Sequence, residues 1–382
     1  MKKTKAILAL SDGKIFHGFS FGAAADVSKP CVGEVVFNTS MYGYQEILSD
    51  PSYAGQIMTF TYPHIGNVGC NSEDEESNKL FIEGIIIRDL SKVVSNFRAT
   101  TSLHDHLLKH KKMGLYGIDT RELVTYIRTH GAKMGAMASG DNINPDDLVD
   151  RAKSNGSMLG KDYVQYVSCE QPYAWNQLPW ELGTGYGNRT QAESDKLPHV
   201  VAVDCGIKHN ILRLLAGSGL KVTVVPYNYS SDEILKLKPD GIFLSNGPGD
   251  PATLNYIVNS VKNLLGKKPI FGICLGHQIL SQAVGGSTYK LPFGHRGGNH
   301  PVKDMKTGVV EITVQNHGFA VDEKTLPKSA LVRHVNLNDN TVEGLEVEEA
   351  KAFSIQYHPE SSPGPHDSQV HFKRFYDLIT SN

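Results

Sequence analysis

The sequence predicts an α/β protein. A doubly wound, mostly parallel sheet fills residues 198–382. It follows a smaller, β-rich α+β domain over 1–150, with an ordered connecting segment over 151–197. Three observations predict this. The chain has 382 residues, enough for two or three domains at about 150 residues each. From His199 onward, short β-branched runs alternate with amphipathic stretches, the rhythm of a parallel sheet covered on both faces. Before residue 150, strand-like runs are crowded by turn residues.

Composition excludes several functions. At 40% hydrophobic and 20% charged residues the chain can build packed cores and is not a disordered polyelectrolyte. Its 38 basic residues against 40 acidic ones leave −2, without the basic excess of a nucleic-acid binder. No apolar run approaches the ~20 residues of a membrane span, so neither nucleic acid nor membrane is expected as a partner. Met1-Lys2-Lys3-Thr4-Lys5 looks like the start of a signal peptide, but the apolar stretch after it stops at Leu10, short of the roughly 7–15 residues required. A strand entering a hairpin through Asp12-Gly13 fits better. Cys31, Cys70, Cys169, Cys205 and Cys274 contain no C-x-x-C pair and are expected as reduced thiols in a cytoplasmic protein.

In the first domain, Glu34-Val35-Val36-Phe37 and Gly84-Ile85-Ile86-Ile87 are β-rich, and Asp119-Thr120-Arg121-Glu122-Leu123 reads as the capped start of a helix ending near Gly131. The connecting segment holds Trp175, Trp180 and the patch Gly183-Thr184-Gly185-Tyr186-Gly187. That patch lacks the strand before and the helix after that a phosphate loop needs. In the last domain, Val200-Val201-Ala202-Val203, Val222-Thr223-Val224-Val225, Gly241-Ile242-Phe243-Leu244 and Ile270-Phe271-Gly272-Ile273 read as buried strands. Helices are expected through Ile211, Leu212, Leu214 and Leu215, and over 232–237, 254–265 and 275–284. A further strand runs from Ala352 to Tyr357. Open sheets of this kind bind ligands outside the carboxyl ends of their strands.

Chemistry-bearing residues cluster at those ends. Gly272-Ile273-Cys274-Leu275-Gly276 fits G-x-C-x-G, a cysteine version of the nucleophile elbow. The glycines permit a tight strand-to-helix turn, and a helix N-terminus favours a thiolate. The Leu275 N–H is then placed to stabilise an oxyanion. Alone, the motif reads more readily as a buried, inert cysteine. Near the C-terminus His358-Pro359-Glu360 follows a strand; in extended chain, Glu360 reaches the His358 imidazole from the same side. Alone, this reads as a solvated turn. Together, thiol, imidazole and carboxylate form an acyl-transfer constellation. Ser245-Asn246-Gly247-Pro248-Gly249-Asp250-Pro251 is a rigid loop, read as a wall of the acyl pocket with Gly247 as a second oxyanion donor. His295 and His300, five apart in a Gly-rich loop, and His317 lack a metal-ligand pattern, so no metal is expected.

These motifs resemble the class I, triad-type glutamine amidotransferases, carried by Gly272-Ile273-Cys274-Leu275-Gly276-His277-Gln278 and His358-Pro359-Glu360. The first domain, through Gly33-Glu34-Val35-Val36-Phe37-Asn38-Thr39-Ser40-Met41, Gly43-Tyr44-Gln45-Glu46-Ile47-Leu48, Asp50-Pro51-Ser52-Tyr53 and Tyr62-Pro63-His64-Ile65-Gly66-Asn67, is similar to the small subunits of glutamine-hydrolysing carbamoyl phosphate synthetases. Phe293-Gly294-His295-Arg296-Gly297-Gly298-Asn299-His300-Pro301 and Gln315-Asn316-His317-Gly318-Phe319 agree. The resemblance implies a glutaminase in which Cys274 attacks the side-chain amide of L-glutamine, His358 gives the proton to departing ammonia, and Glu360 orients His358. A γ-glutamyl thioester is formed and hydrolysed. It implies that Gly247 and Leu275 line the oxyanion hole, and that Gly249, Gln278, Asn316, Gly318, Phe319 and Ser52 hold glutamine. It implies no cofactor on this chain and a large synthetase subunit as partner, in a heterodimer or a higher assembly. That subunit would use ATP, Mg and bicarbonate and receive ammonia through an enclosed channel to make carbamoyl phosphate for arginine and pyrimidine biosynthesis. Cys205, Tyr42 and Tyr357 depart from what the resemblance leads one to expect. Two other readings stay open: the amidotransferase part of a different synthetase or a stand-alone γ-glutamyl hydrolase, and a non-catalytic scaffold.

Overall fold

Two-residue alternation in the strands after His199 sends side chains to opposite faces of one sheet. Val201, Val203, Ile242 and Leu244 join one apolar cluster, and Val200, Ala202 and Phe243 join another. In this computed structural model, which describes residues 3–381, helices Asn255–Leu264 and Leu275–Ala283 bury their apolar residues in the first cluster. Helices His209–Gly217 and Val370–Thr380 bury theirs in the second. The sheet is thus covered on both sides, as the alternation predicts. Met1, Lys2 and Asn382 lie outside the described residues, so the first two positions of the charged start are not described.

Among the described residues the sheet has ten strands. Its centre is parallel: Lys221–Pro226, His199–Asp204, Gly241–Leu244, Ile270–Ile273 and Ala352–Ile355, in that order. Antiparallel strands extend it on both sides, Tyr173–Trp175 at one edge and Val342–Val347, Leu331–Asn336, Ser287–Asp304 and Val310–Asp322 toward the other. The expectation of a mostly parallel sheet therefore holds for the centre, while the sheet as a whole is mixed. The Gly-rich stretch around His295 and His300 is not a loop. It lies within the 18-residue strand Ser287–Asp304.

The chain divides into two units, Met1–Lys161 with Pro292–Gly297, and Asp162–Leu291 with Gly298–Asn382. The connecting stretch is shared between them. Its 162–197 part supplies the edge strand Tyr173–Trp175, and Gly183 (φ 87°) and Gly185 (φ 77°) turn the hairpin Gln177–Glu181/Gly185–Asn188. The first unit is built on a closed barrel of seven strands among the described residues, in the order Thr4–Leu10, Ile15–Gly22, Met113–Tyr116, Gly84–Ile87, Gln56–Phe60, Cys31–Asn38 and Lys133–Ser139. All seven contribute to one apolar cluster, through residues such as Leu8, Phe16, Leu115, Ile86, Ile57, Val35 and Met137. The opposite faces of the first and last strands bury Ile7, Ala9, Ala136 and Ala138 against Leu148, Val149 and Ala152 of helix Pro145–Ser154. The Asp12-Gly13 turn is present, with Gly13 at φ 95° donating to Leu10. Helix Thr120–His130 starts as predicted, its Asp119 cap accepting from Glu122 N–H at 3.0 Å. Within this unit, Phe293 stacks on Phe37, with ring centroids 6.0 Å apart. No helix among the described residues is long and apolar enough to cross a membrane.

Candidate active site

Strand Ile270–Ile273 runs directly into helix Leu275–Ala283, and Cys274 is the single residue between them. Its backbone sits at φ 54°, ψ −101°, a conformation that costs a non-glycine residue of order 1–3 kcal/mol. The surroundings force it. Cys274 N–H donates to Ile355 O at 2.9 Å, which fastens the elbow to strand Ala352–Ile355. The flanking glycines are needed for space: a Cβ on Gly272 would lie 2.7 Å from the Gly276 carbonyl carbon, and one on Gly276 would lie 2.7 Å from that of Leu244. The elbow predicted from G-x-C-x-G is therefore what the backbone adopts.

His358-Pro359-Glu360 lies beyond the carboxyl end of the neighbouring strand. The strand ends at Ile355, not at Tyr357, and the three residues form a turn in which Ser361 N–H donates to His358 O at 3.2 Å. The expected extended geometry is corrected accordingly. The turn still brings His358 Nδ1 to 2.6 Å from Glu360 Oε1. His358 N–H donates to Val314 O at 2.8 Å, and Tyr357 is fixed from below, its hydroxyl 2.9 Å from His371 Nε2. Nε2 of His358 is buried without a hydrogen-bond partner among the described residues. The Cys274 thiol acts on this imidazole electrostatically.

Sequence reasoning missed a fourth member. Lys208 Nζ lies 2.9 Å from Glu360 Oε1 and donates also to Ser361 O. Lys208 is 2% exposed and Glu360 is fully buried, a setting in which a charge must be paired. Asn210 Nδ2 donates to the Glu360 carbonyl at 2.6 Å. The loop carrying Lys208 is ordered by Asp204, whose Oδ1 accepts from Gly206 and Ile207 N–H, each at 2.8 Å. The available signal was position: Lys208 follows the carboxyl end of strand His199–Asp204, where such sheets place ligands.

The electrostatics follow. Burial alone would lower the basicity of His358, but the Glu360 carboxylate and Cys274 overcome it and raise the imidazole to about 10. Burial would raise Glu360, but Lys208 and His358 hold it down at about 2. At neutral pH the core of the site is thus carboxylate, ammonium and imidazolium in contact. The other cysteines are silenced. Burial pushes the Cys70 and Cys169 thiols up to about 12 and also raises Cys31 and Cys205. All five cysteines are free.

Of the remaining predicted residues of the second unit, Asn316 is in contact with Cys274. Its Sγ lies 3.5 Å from Asn316 O. Gln278 Nε2 donates to Phe319 O at 2.9 Å and to Gln356 Oε1 at 3.0 Å, so its amide hydrogens hold the Phe319 backbone. Gly318 lies between them in strand Val310–Asp322. Gly247 packs on the first turn of the elbow helix: a Cβ there would come within 2.8 Å of Leu275 Cδ2. Gly249 follows at φ 97° in the same loop. Cys205, the unexpected thiol, lies beneath that loop with its N–H donating to Ser245 Oγ at 2.8 Å. Ser52 belongs to the first unit, in the short turn Pro51–Tyr53, where its N–H donates to Asp50 Oδ1 at 2.9 Å. The ring nitrogens of His317 lie 2.7 Å from Phe319 O and 2.9 Å from Gln315 Oε1.

Comparison with known proteins matches each half of this arrangement. Residues 201–378 match the family model for glutamine amidotransferase class-I, and residues 8–137 match that for the carbamoyl-phosphate synthase small chain, CPSase domain. The carbamoyl phosphate synthase small chain of Syntrophotalea carbinolica is 53% identical over 99% of this chain and 98% of that protein. The small chain of Pasteurella multocida is 53% identical over 97% of this chain and 94% of that protein. The chloroplastic small chain of Oryza sativa subsp. japonica is 49% identical over 100% of this chain and 83% of that protein. The chain belongs to the carbamoyl phosphate synthase small chain family, with its elbow cysteine in the class-I glutamine amidotransferase half.

Proposed function

We propose that this chain is the glutaminase subunit of a carbamoyl phosphate synthase. It hydrolyses L-glutamine and passes ammonia to a large subunit, which makes carbamoyl phosphate from bicarbonate with ATP. The observation that carries the reading is the elbow thiol beside an imidazole held by a buried carboxylate–lysine pair. Cys274 Sγ attacks the side-chain amide carbon of glutamine as a thiolate, its proton already held on the His358 imidazolium. The oxygen that gains charge faces the N–H groups of Gly247 and Leu275, where fixed donors stabilise charge developing in the transition state. His358 then protonates the amide nitrogen, the C–N bond breaks, and ammonia leaves a γ-glutamyl thioester on Cys274. A water molecule gives its proton to His358 and attacks the thioester carbon. The C–S bond breaks, sulfur leaves as the thiolate beside the recharged His358 imidazolium, and glutamate departs. Glu360 keeps the Nδ1 proton in place throughout, so Nε2 is the nitrogen that exchanges protons. Asn316, Gly318, Phe319, Gln278 and Gly249 form the wall on which the amino-acid end of glutamine rests.

The large subunit is the partner that gives the released ammonia its use, in a heterodimer or a higher assembly. ATP, Mg and bicarbonate belong to that subunit, and the product enters arginine and pyrimidine biosynthesis in the cytoplasm. Cys274→Ser tests the reading in the assembled enzyme. Glutamine-dependent carbamoyl phosphate synthesis is expected to fall by at least about a thousandfold, as for loss of a nucleophile elsewhere, while synthesis from added ammonia persists. Unchanged glutamine use by the variant would overturn it.

A further inference from the structure

The first unit brings three metal-binding side chains together. His106 and His110 are four residues apart, in and just beyond helix Leu103–Lys109, and so share one face of it. Their rings are 4.7 Å apart between centroids. Glu75 approaches from the segment between Cys70 and Gly84. The three donor atoms all lie within 4.8 Å of one another. Nε2 of His106 and Nε2 of His110 are buried and make no hydrogen bond, and His106 is only 3% exposed. Buried polar atoms are nearly always satisfied, so two orphaned imidazole nitrogens facing a carboxylate require an explanation. The segment that carries Glu75 is fixed. Gln45 Oε1 accepts from Asn71 N–H at 2.9 Å, Ser49 Oγ accepts from Glu76 N–H at 2.9 Å, and Arg98 reaches Asp74 at 2.6 Å.

We propose that Glu75, His106 and His110 form a Zn²⁺ site that clips this segment to helix Leu103–Lys109. Two imidazoles and a carboxylate are a ligand set that zinc accepts, with a fourth position left to water. Zinc-to-ligand bonds of ~2.0–2.2 Å place tetrahedral donors ~3.3 Å apart, so the side chains close by about an ångström or less around the ion. Lys109 and Lys112 are the cations nearest the group. Their charge opposes that of a bound cation and weakens the site. The site is separate from His295, His300 and His317, on which the expectation of no metal rested, and it lies outside the glutaminase constellation.

The test uses the full chain carrying Cys274→Ser, so that the nucleophilic thiol does not compete, stripped with a chelator. Titration with Zn²⁺ is expected to give one saturable equivalent, and Co²⁺ to give the visible absorption of a four-coordinate site. At a hundredfold excess over Kd, Tm is expected to rise by about 3 °C or more. His110→Gln, at a half-buried position, and His106→Gln are each expected to weaken binding at least about tenfold, since even outer partners of metal ligands are worth that much. Failure to bind either ion at one equivalent overturns the proposal. So does Zn²⁺ binding of unchanged affinity in the His106→Gln/His110→Gln pair or, should His106→Gln not fold, in His110→Gln alone.

Discussion

Lys208 meets its carboxylate across 152 residues of sequence, and that distance explains why it escaped the sequence reading while Cys274, His358 and Glu360 did not. The elbow and the His-x-Glu pair are local patterns whose spacing already encodes their geometry. A lysine before a helix reads as solvated, and only its burial beside Glu360 distinguishes it. Removing one partner of a buried ion pair leaves the other charge uncompensated, at about 3–5 kcal/mol. Lys208→Met is therefore expected to lower unfolding stability by about that amount in denaturant titrations, and to reduce glutamine turnover with little change in KM, because the lysine supports the base and not the substrate. A midpoint equal to that of the unaltered chain would show that the pair contributes nothing. Gln278 teaches the same lesson differently. Its amide hydrogens are held by Phe319 O and Gln356 Oε1, 41 and 78 residues away, partners that no local motif specifies.

At the scale of elements, the turn at Cys274 depends on two glycines that face each other across it. Gly276→Ala forces a methyl against the Leu244 carbonyl, and backbone cannot yield as a flexible side chain can. The expected result is a loss of at least about 2–3 kcal/mol, the upper range for overpacking, with glutaminase activity lost alongside it. Retention of both stability and activity would mean that the strand-to-helix packing is looser than described. The strands of the parallel centre were legible because each is a short apolar run with its signal in four consecutive residues. The strand Ser287–Asp304 was not. It contains Pro292, Gly294, Gly297 and Gly298, residues depleted from strands, and long-range pairing overrides that local preference. Barrel closure was equally hidden. The parallel pairings of Cys31–Asn38 with Gln56–Phe60 and of Gly84–Ile87 with Met113–Tyr116 join residues more than twenty positions apart, and no local pattern specifies them.

For the whole molecule, buried titratable groups set how stability varies with pH. Burial, assisted by neighbouring histidines, lowers His277 to about 3 and His334 to about 4. Below their ordinary value of 6.5 the unfolded chain takes up protons that the folded chain refuses, so stability falls as pH drops from there. For His334 alone the loss reaches about 3 kcal/mol. Glu360, held down at about 2 from an ordinary 4.5, adds stability that is present above 4.5 and lost below it. His358 acts in the opposite direction: raised toward about 10, its contribution is complete below 6.5 and is lost as pH rises. Urea midpoints at pH 5, 6.5 and 8.5 are expected to be highest at the middle value. A steady rise to pH 8.5 would mean that the catalytic imidazole is not held charged. The fold also bears on how such a protein can be divided. Six residues within the later part of the chain, Pro292–Gly297, complete the earlier unit, where Phe293 rests on Phe37. A fragment cut out along the amidotransferase match, 201–378, would carry off a piece of its neighbour's interior and strand an aromatic ring without its stacking partner. Division of the chain at that apparent seam therefore yields no clean halves.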